Sequence, residues 1–172
     1  MRLIILYSIY AIASLVMAFI AYLFAPIICL FIRDRKLPKW LAWFGTPDNP
    51  TTGDPSFWPQ QHPTYSPYQL DVTWMWRNPA QGFDKYLEAD VAYNTLIDVR
   101  GNLNISDSSK PPVGGWFLIT GGGVFHFKAI IPTKFGCLVS YMGWRLEPIA
   151  KDLPSDTLGA FMFTPLRLFK AK

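Results

Sequence analysis

The chain has 172 residues, of which 51% are hydrophobic and only 16% are charged, so intrinsic disorder and a coiled coil are both excluded. Its length accommodates one ordinary domain. The net charge of +4 arises before residue 40, because residues 40–172 carry 11 bases and 11 acids. The positive charge is therefore no indication of nucleic-acid binding.

The first element is an uncharged run of 30 residues from Leu3 to Ile32. A helix needs about 20 apolar residues to cross a bilayer. The run predicts a transmembrane helix from about Leu3 to Ala25, which Pro26 then kinks or ends. A secretory signal peptide is the competing interpretation, but its apolar core has only about 7 to 15 residues. The sequence thus favours an uncleaved, single-pass anchor.

A basic segment, which we call the collar, follows the apolar run. Its bases are Arg33, Arg35, Lys36 and Lys39, and Trp40 and Trp43 come next. The positive-inside rule places residues 33–172 in the cytoplasm and the short N-terminus outside, although an anchor that begins with Arg2 can also insert the other way. The two tryptophans suit an interfacial anchor and packing in the folded domain equally well.

The segment from Pro38 to Pro67 holds seven of the 15 prolines, which excludes a regular helix and disfavours a central strand. We expect it to run extended over a surface, fixed there by its aromatic residues. Three regions are predicted: residues 3–32 as the transmembrane and juxtamembrane helix, 33–67 as the collar and Pro-rich extended segment, and 68–172 as a small domain.

Alternating apolar and polar residues predict that this domain is mainly β, an antiparallel meander of about five to seven strands. The predicted strands lie near residues 70–76, 91–99, 103–105, 116–120, 125–131, 138–146 and 161–169. In the fifth, Phe125 and Ile131 share one face and His126 lies on the other. A short helix between Pro79 and Asp90 interrupts the strands.

A turn motif, TPDNPTTGD, occupies residues 46–54. Its turn-forming residues are Asp48, Asn49, Gly53 and Asp54. A calcium-binding EF-hand loop would need an oxygen ligand where Pro50 stands, and a Glu where the chain has another proline. We therefore predict turns in which short side chains bond their own backbone, with no metal.

A tryptophan motif, WMWRNPAQGF, occupies residues 74–83. The structural interpretation makes Trp74 and Trp76 core residues on one face of a strand, with Asn78 capping the next helix. The alternative is a binding surface formed by Trp74, Trp76, Arg77 and Asn78, since Trp and Arg are favoured at binding hot spots. The sequence leaves the role of Arg77 open.

No catalytic residue, metal site or cofactor is predicted. His62 and His126 lie 64 residues apart and outside any catalytic motif. The glycine clusters at residues 114–115 and 121–123 lack the Lys and Ser/Thr of a phosphate-binding loop. Cys29 and Cys137 belong to different predicted regions, so reduced thiols are expected.

The turn motif, the tryptophan motif and a late GWRL before the last strand resemble an uncharacterised family of small membrane-anchored proteins of tailed phages and prophages. The resemblance covers most of residues 40–169. It implies a bacterial host and an inner-membrane setting, and it brings no activity or catalytic residue. Members often carry a second acid where this chain has Thr52.

Two classes of function remain. The first is a non-enzymatic, membrane-tethered binding or accessory module whose partners are the lipid bilayer and a host or phage membrane protein. The second is a membrane-anchored hydrolase or lysis factor, which needs paired acid–base groups in one cleft. Only Asp48, Asp54, His62 and Asp71 are available for that role, and two of them within hydrogen-bond reach would favour the enzyme.

Overall fold

A computed structural model describes residues 2–169 of the chain. These residues form two compact units, and helix α1 (Arg2–Ile28) contributes to both. The helical unit covers Ser8–Leu87. The β unit combines the residues up to Tyr7 with those from Glu88 onward.

The predicted apolar helix is confirmed. Helix α1 has 27 residues and is therefore about 40 Å long, with Pro26 inside its last turns. A short 3-10 turn, Cys29–Phe31, continues it. Within residues 2–169, this is the one helix that is long and apolar enough to cross a membrane.

The first predicted strand, residues 70–76, is wrong, because this segment is helix α3 (Pro67–Arg77). Ser66 caps the helix through a reciprocal pair of hydrogen bonds with Gln69, and Pro67 occupies the first turn, where its missing N–H costs nothing. The alternating tryptophans suggested a period of two, whereas this capping box is the local signal that starts a helix.

Short helices interrupt the Pro-rich segment, namely the 3-10 helix Lys39–Phe44 and helix α2 (Trp58–Gln61). After α3 come helix α4 (Gln81–Asp84) and a 3-10 turn, Lys85–Leu87. A helix within residues 79–90 is thus confirmed. Its cap is wrong, because Asn78 ends α3 and the left-handed residue Ala80 precedes α4.

The β unit is a five-stranded antiparallel meander, as predicted. Its strands are β1 (Ile97–Gly101), β2 (Gly115–Gly121), β3 (Val124–Thr133), β4 (Gly136–Trp144) and β5 (Phe161–Phe169), with helix α5 (Glu147–Ala150) before β5. Gly122 and Gly123 both have positive φ angles, as the tight β2–β3 hairpin requires. The segment 103–105 forms no strand, and the strand predicted over 91–99 begins only at Ile97.

Both faces of the sheet are partly buried. One face carries Phe117, Ile119, His126, Ile130 and Val139, all fully enclosed. The opposite face carries an aromatic cluster of Phe125, Trp144, Phe161 and Phe163, which Tyr7 covers. The predicted alternation along β3 is confirmed, because Phe125 and His126 lie on opposite faces. Burial is uneven along the strand, since His126 is 1% exposed and Ile131 is 59% exposed.

Candidate functional site at the collar

The helical unit brings the turn motif and the tryptophan motif together, although 19 residues separate them in sequence. The indole Nε1 of Trp74 donates a hydrogen bond to Thr46 Oγ1 at 3.1 Å. Gly53 has a φ of +90°, and a Cβ there would lie 2.7 Å from Trp58 Cβ and 2.8 Å from the Trp74 ring. Glycine is required at this position by both the backbone angle and the close approach of the two rings.

A second glycine joins the end of the tryptophan motif to the 3-10 helix Lys39–Phe44 and the glycine that ends it. The backbone N–H of Gly82 donates to the carbonyl of Gly45 at 2.7 Å. A Cβ on Gly82 would lie 2.2 Å from the carbonyl oxygen of Ala42. Any side chain there would displace backbone, so this motif residue serves close packing.

The four residues predicted as a binding surface have different environments. Trp74 is buried against Trp58, with ring centroids 5.5 Å apart, as the structural interpretation predicts. Trp76 is 41% exposed, so its predicted burial is wrong. Asn78 ends α3, where its backbone N–H donates to the Trp74 carbonyl at 3.0 Å.

Arg77 lies over an aromatic platform. Its guanidinium carbon is 5.1 Å from the ring centroids of Phe57 and Trp58, and 5.9 Å from that of Trp74. Such contacts stabilise a cation by about 0.5–1 kcal/mol at exposed sites. This packing gives Arg77 a structural role in the helical unit.

Trp76 satisfies a backbone group that Pro26 leaves unpaired. Proline has no N–H, so the carbonyl of Tyr22 loses the donor that residue 26 would normally supply. The Trp76 indole Nε1 donates to this carbonyl at 3.0 Å, and the Tyr68 hydroxyl donates to the carbonyl of Pro26 at 2.9 Å. Two side chains of α3 thus pair with the backbone around the proline.

A cavity of about 600 Å³ separates the collar from the turn motif. Its charged and amide lining residues are Asp34, Arg35, Lys36, Asp48 and Asn49. Two of the four predicted turn residues and two of the four collar bases therefore meet at one site, which we call the collar cavity. Its lining holds both signs of charge.

The collar side of this cavity is a tight turn. Asp34 and Arg35 both adopt left-handed backbone angles, with φ of 50° and 60°. Paired backbone hydrogen bonds close the turn between Arg33 and Lys36, at 3.0 and 2.9 Å. The N–H of Thr51 donates to the carbonyl of Arg35 at 3.2 Å, which attaches the collar to the turn motif.

A buried carboxyl group lies next to this site. Asp71 is 7% exposed, and its pKa is raised by burial, against the opposing effects of the Thr51 side chain and the charge of Arg35. Its Oδ1 atom is enclosed and accepts no hydrogen bond from the described residues. A small crevice lined by Thr51, Asp71, Trp74 and Asn78 connects these residues.

The other predicted residues lie outside the cavity lining. Asp54 accepts hydrogen bonds from the Ser56 hydroxyl at 2.7 Å and the Ser56 N–H at 2.9 Å, which lower the pKa of Asp54. Trp40 is 65% exposed and contacts Phe31. Three further collar and aromatic residues, Arg33, Lys39 and Trp43, are also exposed.

The four residues available for catalysis form no acid–base pair. Within residues 2–169, no hydrogen bond or ion pair joins any two of Asp48, Asp54, His62 and Asp71. His62 instead packs against the rings of Trp58 and Tyr65, at 4.2 and 4.6 Å. The same described residues contain no cluster of three or more His, Cys, Asp or Glu side chains that could hold a metal ion.

Sequence reasoning missed two residues that prove informative. Tyr7 lies in a uniformly apolar run, where nothing marks it as a contact of the β unit. Asp84 has its Oδ1 enclosed without a hydrogen-bond donor, and only a hydrogen bond with Ser14 opposes the effect of burial on its pKa. Neither position is recognisable without the fold.

Residues 1–170 match the model of a family of unknown function (DUF7338), and the chain belongs to this family. No curated protein and no solved structure matches the chain.

Proposed function

We propose that this member of the family is a membrane-attached binding or accessory module without enzymatic activity. The observation that carries the proposal is the outer face of α1, where large apolar side chains are exposed over its whole length. These are Ile4, Ile5, Leu6, Ile9, Ile12, Leu15, Val16, Phe19, Tyr22, Leu23, Phe24 and Ile27. Soluble monomers rarely expose so large a contiguous apolar surface, and a bilayer is the partner that fits it.

The collar supports the same partner. Its four bases are all exposed, and each base near an anionic membrane surface contributes about 1 kcal/mol of binding. The exposed tryptophans Trp40 and Trp43 suit the headgroup region, where such amphipathic rings are enriched. The position of the bases after the apolar run favours a cytoplasmic location for the residues that follow.

The setting that we propose is the inner membrane of a bacterial host, with the gene carried by a tailed phage or prophage. The turn motif and the tryptophan motif support this setting by resemblance, and in this chain Gly53, Trp74 and Gly82 give both motifs structural roles. A host or phage membrane protein is the proposed second partner.

The alternative, a membrane-anchored hydrolase or lysis factor, has less support. The collar cavity contains charged groups of both signs, and the Thr46 hydroxyl in its lining donates to the backbone carbonyl of Asn49 rather than to a carboxylate base. Mixed charge of this kind suits the binding of a polar or zwitterionic group. We therefore assign the cavity to binding rather than to hydrolysis.

Membrane fractionation of the full chain tests the proposal. The protein should remain with washed bacterial membranes in high salt and should be released only by detergent, because its attachment is apolar. Replacing Ile12, Phe19 and Leu23 by Ser should release it. The matched control replaces three exposed apolar residues of the β unit, Leu96, Phe135 and Leu166, and should stay in the membrane fraction. Release of the unmodified chain by salt alone would contradict the proposal.

A further inference from the structure

We infer that α1 does not cross the bilayer, but lies within one leaflet with both of its ends on the same side of the membrane. The inference rests on the proposed membrane attachment and specifies its geometry. It replaces the single-pass topology that the length and apolarity of the helix favoured.

The N-terminal end of α1 belongs to the β unit. Tyr7 is 8% exposed, and its ring lies 4.9 Å from that of Phe125 and 5.5 Å from that of Trp144. Its hydroxyl donates to the carbonyl of Met162 at 3.0 Å. Because the ring completes the aromatic cluster of the sheet, Tyr7 must lie on the same side of the membrane as the β unit.

The C-terminal end of α1 belongs to the helical unit. Ala21, Ala25, Ile28 and Cys29 pack in one cluster with Leu41, Val72, Met75 and Ala80. The hydrogen bonds from Trp76 and Tyr68 to α1 carbonyls fix the same stretch. The charged collar follows immediately, so this end also emerges at a membrane surface.

A crossing helix would separate these two ends. The chain leaves α1 at the collar and later forms the β unit that encloses Tyr7. If α1 crossed the bilayer, the chain would have to cross again between the collar and β1 to reach Tyr7. Within residues 2–169, α1 and its 3-10 extension form the one segment long and apolar enough to cross. The two ends therefore share one side.

The pattern of burial along α1 agrees with this geometry. Within the helical unit, residues 11, 14, 21, 25 and 28 of α1 are buried and residue 18 is half-buried, a spacing of three and four that marks one helix face. The remaining face is apolar and exposed. A lipid leaflet fits this face, since residues 3–32 carry no charge while the adjoining collar carries four bases for the headgroups.

Site-specific labelling in sealed vesicles of known orientation tests the inference. In a Cys29→Ala, Cys137→Ala background, single cysteines are placed in a short extension before Met1, at Lys36→Cys and at Lys134→Cys. A membrane-impermeant maleimide should label all three from the same side. Labelling of the N-terminal extension from the side opposite to Lys134→Cys would overturn the inference and leave the proposed attachment intact.

Depth measurements provide a second readout. Spin labels at Ile5, Phe19 and Ile27, all on the exposed face, should report similar immersion depths if α1 lies in one leaflet. A crossing helix would instead place Phe19 deepest and both ends shallow. A chain that binds no vesicles and shields these positions in a stable dimer would show that a second copy covers the face, which would overturn both the inference and the proposed attachment.

Discussion

The β unit and the helical unit reach stability by different means. In the β unit, each strand pairs with the next one along the chain, and aromatic and aliphatic side chains fill both faces of the sheet. The helical unit contains helices of only four residues, which are unstable alone in water. Contacts with distant residues must hold them in place, such as Trp58 of α2 with Trp74 and Gly82 of α4 with Gly45.

Single substitutions should therefore have larger effects in the helical unit than in the β unit. A meander distributes its stability over many ladder hydrogen bonds and ring contacts, so few single residues dominate. The helical unit depends on a small number of specific contacts, several of them made by the two motifs. Testing this difference between the units requires a measurement that reports on each unit separately, such as hydrogen exchange followed by peptide mass analysis.

The largest expected effect is that of Trp74→Ala. The substitution removes the ring packed on Trp58 and Gly53 as well as the hydrogen bond to Thr46. We expect a loss of about 3–5 kcal/mol in the free energy of unfolding of the helical unit. Hydrogen exchange of peptides from residues 58–84 should accelerate, while peptides from residues 115–144 serve as the internal reference.

Trp40→Ala is the matched control for this experiment, because Trp40 belongs to the same unit and is mostly exposed. It should leave exchange in both units nearly unchanged. Equal acceleration of exchange in both units after Trp74→Ala would show that they unfold together. This result would contradict the claim that the two units are stabilised separately.

The same contrast explains how far the sequence predicted the fold. Four of the five strands, β2 to β5, were located because consecutive pairing makes local alternation a sufficient signal. Helix α3 was misread because Trp74 and Trp76 alternate by chance: one ring packs inside the helical unit and the other pairs with a carbonyl of α1.

The candidate site was only partly predictable for a related reason. Asp48 and Arg35 were each singled out, one as a turn residue and the other as a collar base. Their meeting at the collar cavity depends on the backbone hydrogen bond between Thr51 and Arg35, which no local pattern encodes. Long-range contacts of single atoms leave no periodicity in a sequence.

The second prediction concerns acidification of the β unit. Burial lowers the pKa of His126 to about 4, with Glu147 opposing this shift and Lys128, Arg145 and Lys151 adding to it. In the unfolded chain the pKa is near 6.5, so the folded state binds fewer protons. The free energy of unfolding of the β unit has its full value above about pH 6.5. It falls by roughly 3 kcal/mol as the pH drops to about 4. Hydrogen exchange of peptides from β3 and β4, measured as a function of pH, should show this decrease in the free energy of unfolding.

His126→Gln provides the control for that slope. The variant cannot titrate in this range, so the pH dependence of the β unit should flatten whatever its absolute stability. An unchanged slope in the variant would assign the acid sensitivity to other groups.

The third prediction is that acid stabilises the helical unit, whereas it destabilises the β unit. Burial raises the pKa of Asp84 to about 6, with the hydrogen bond from Ser14 opposing the shift. The folded state therefore favours the protonated carboxyl, and stability declines by up to about 3 kcal/mol as the pH rises from about 4 to 6. Asp84→Asn should stabilise the helical unit above pH 6 and reduce this decline to the part that the buried Asp71 contributes.

Asp48→Asn removes an exposed carboxylate of the same unit and is the matched control, which should leave that decline in place. Between about pH 6 and 4, acid should thus weaken the β unit while it strengthens the helical unit. A common direction in both units would contradict the separate environments that the structure assigns to His126 and Asp84.

The smallest expected effect is that of Arg77→Met, which keeps an apolar chain over the aromatic platform and removes the charge. The loss should be about 0.5–1 kcal/mol, because the guanidinium contacts the rings of Phe57, Trp58 and Trp74 at a largely exposed site. Exchange of α2 and α3 peptides should accelerate slightly, and Arg77→Lys should retain part of the stability.

A structural role also requires that membrane attachment and its topology remain as in the unmodified chain. If Arg77→Met instead left exchange unchanged but abolished association with a membrane partner, the residue would act in recognition, and the stability of the helical unit would not depend on this cation.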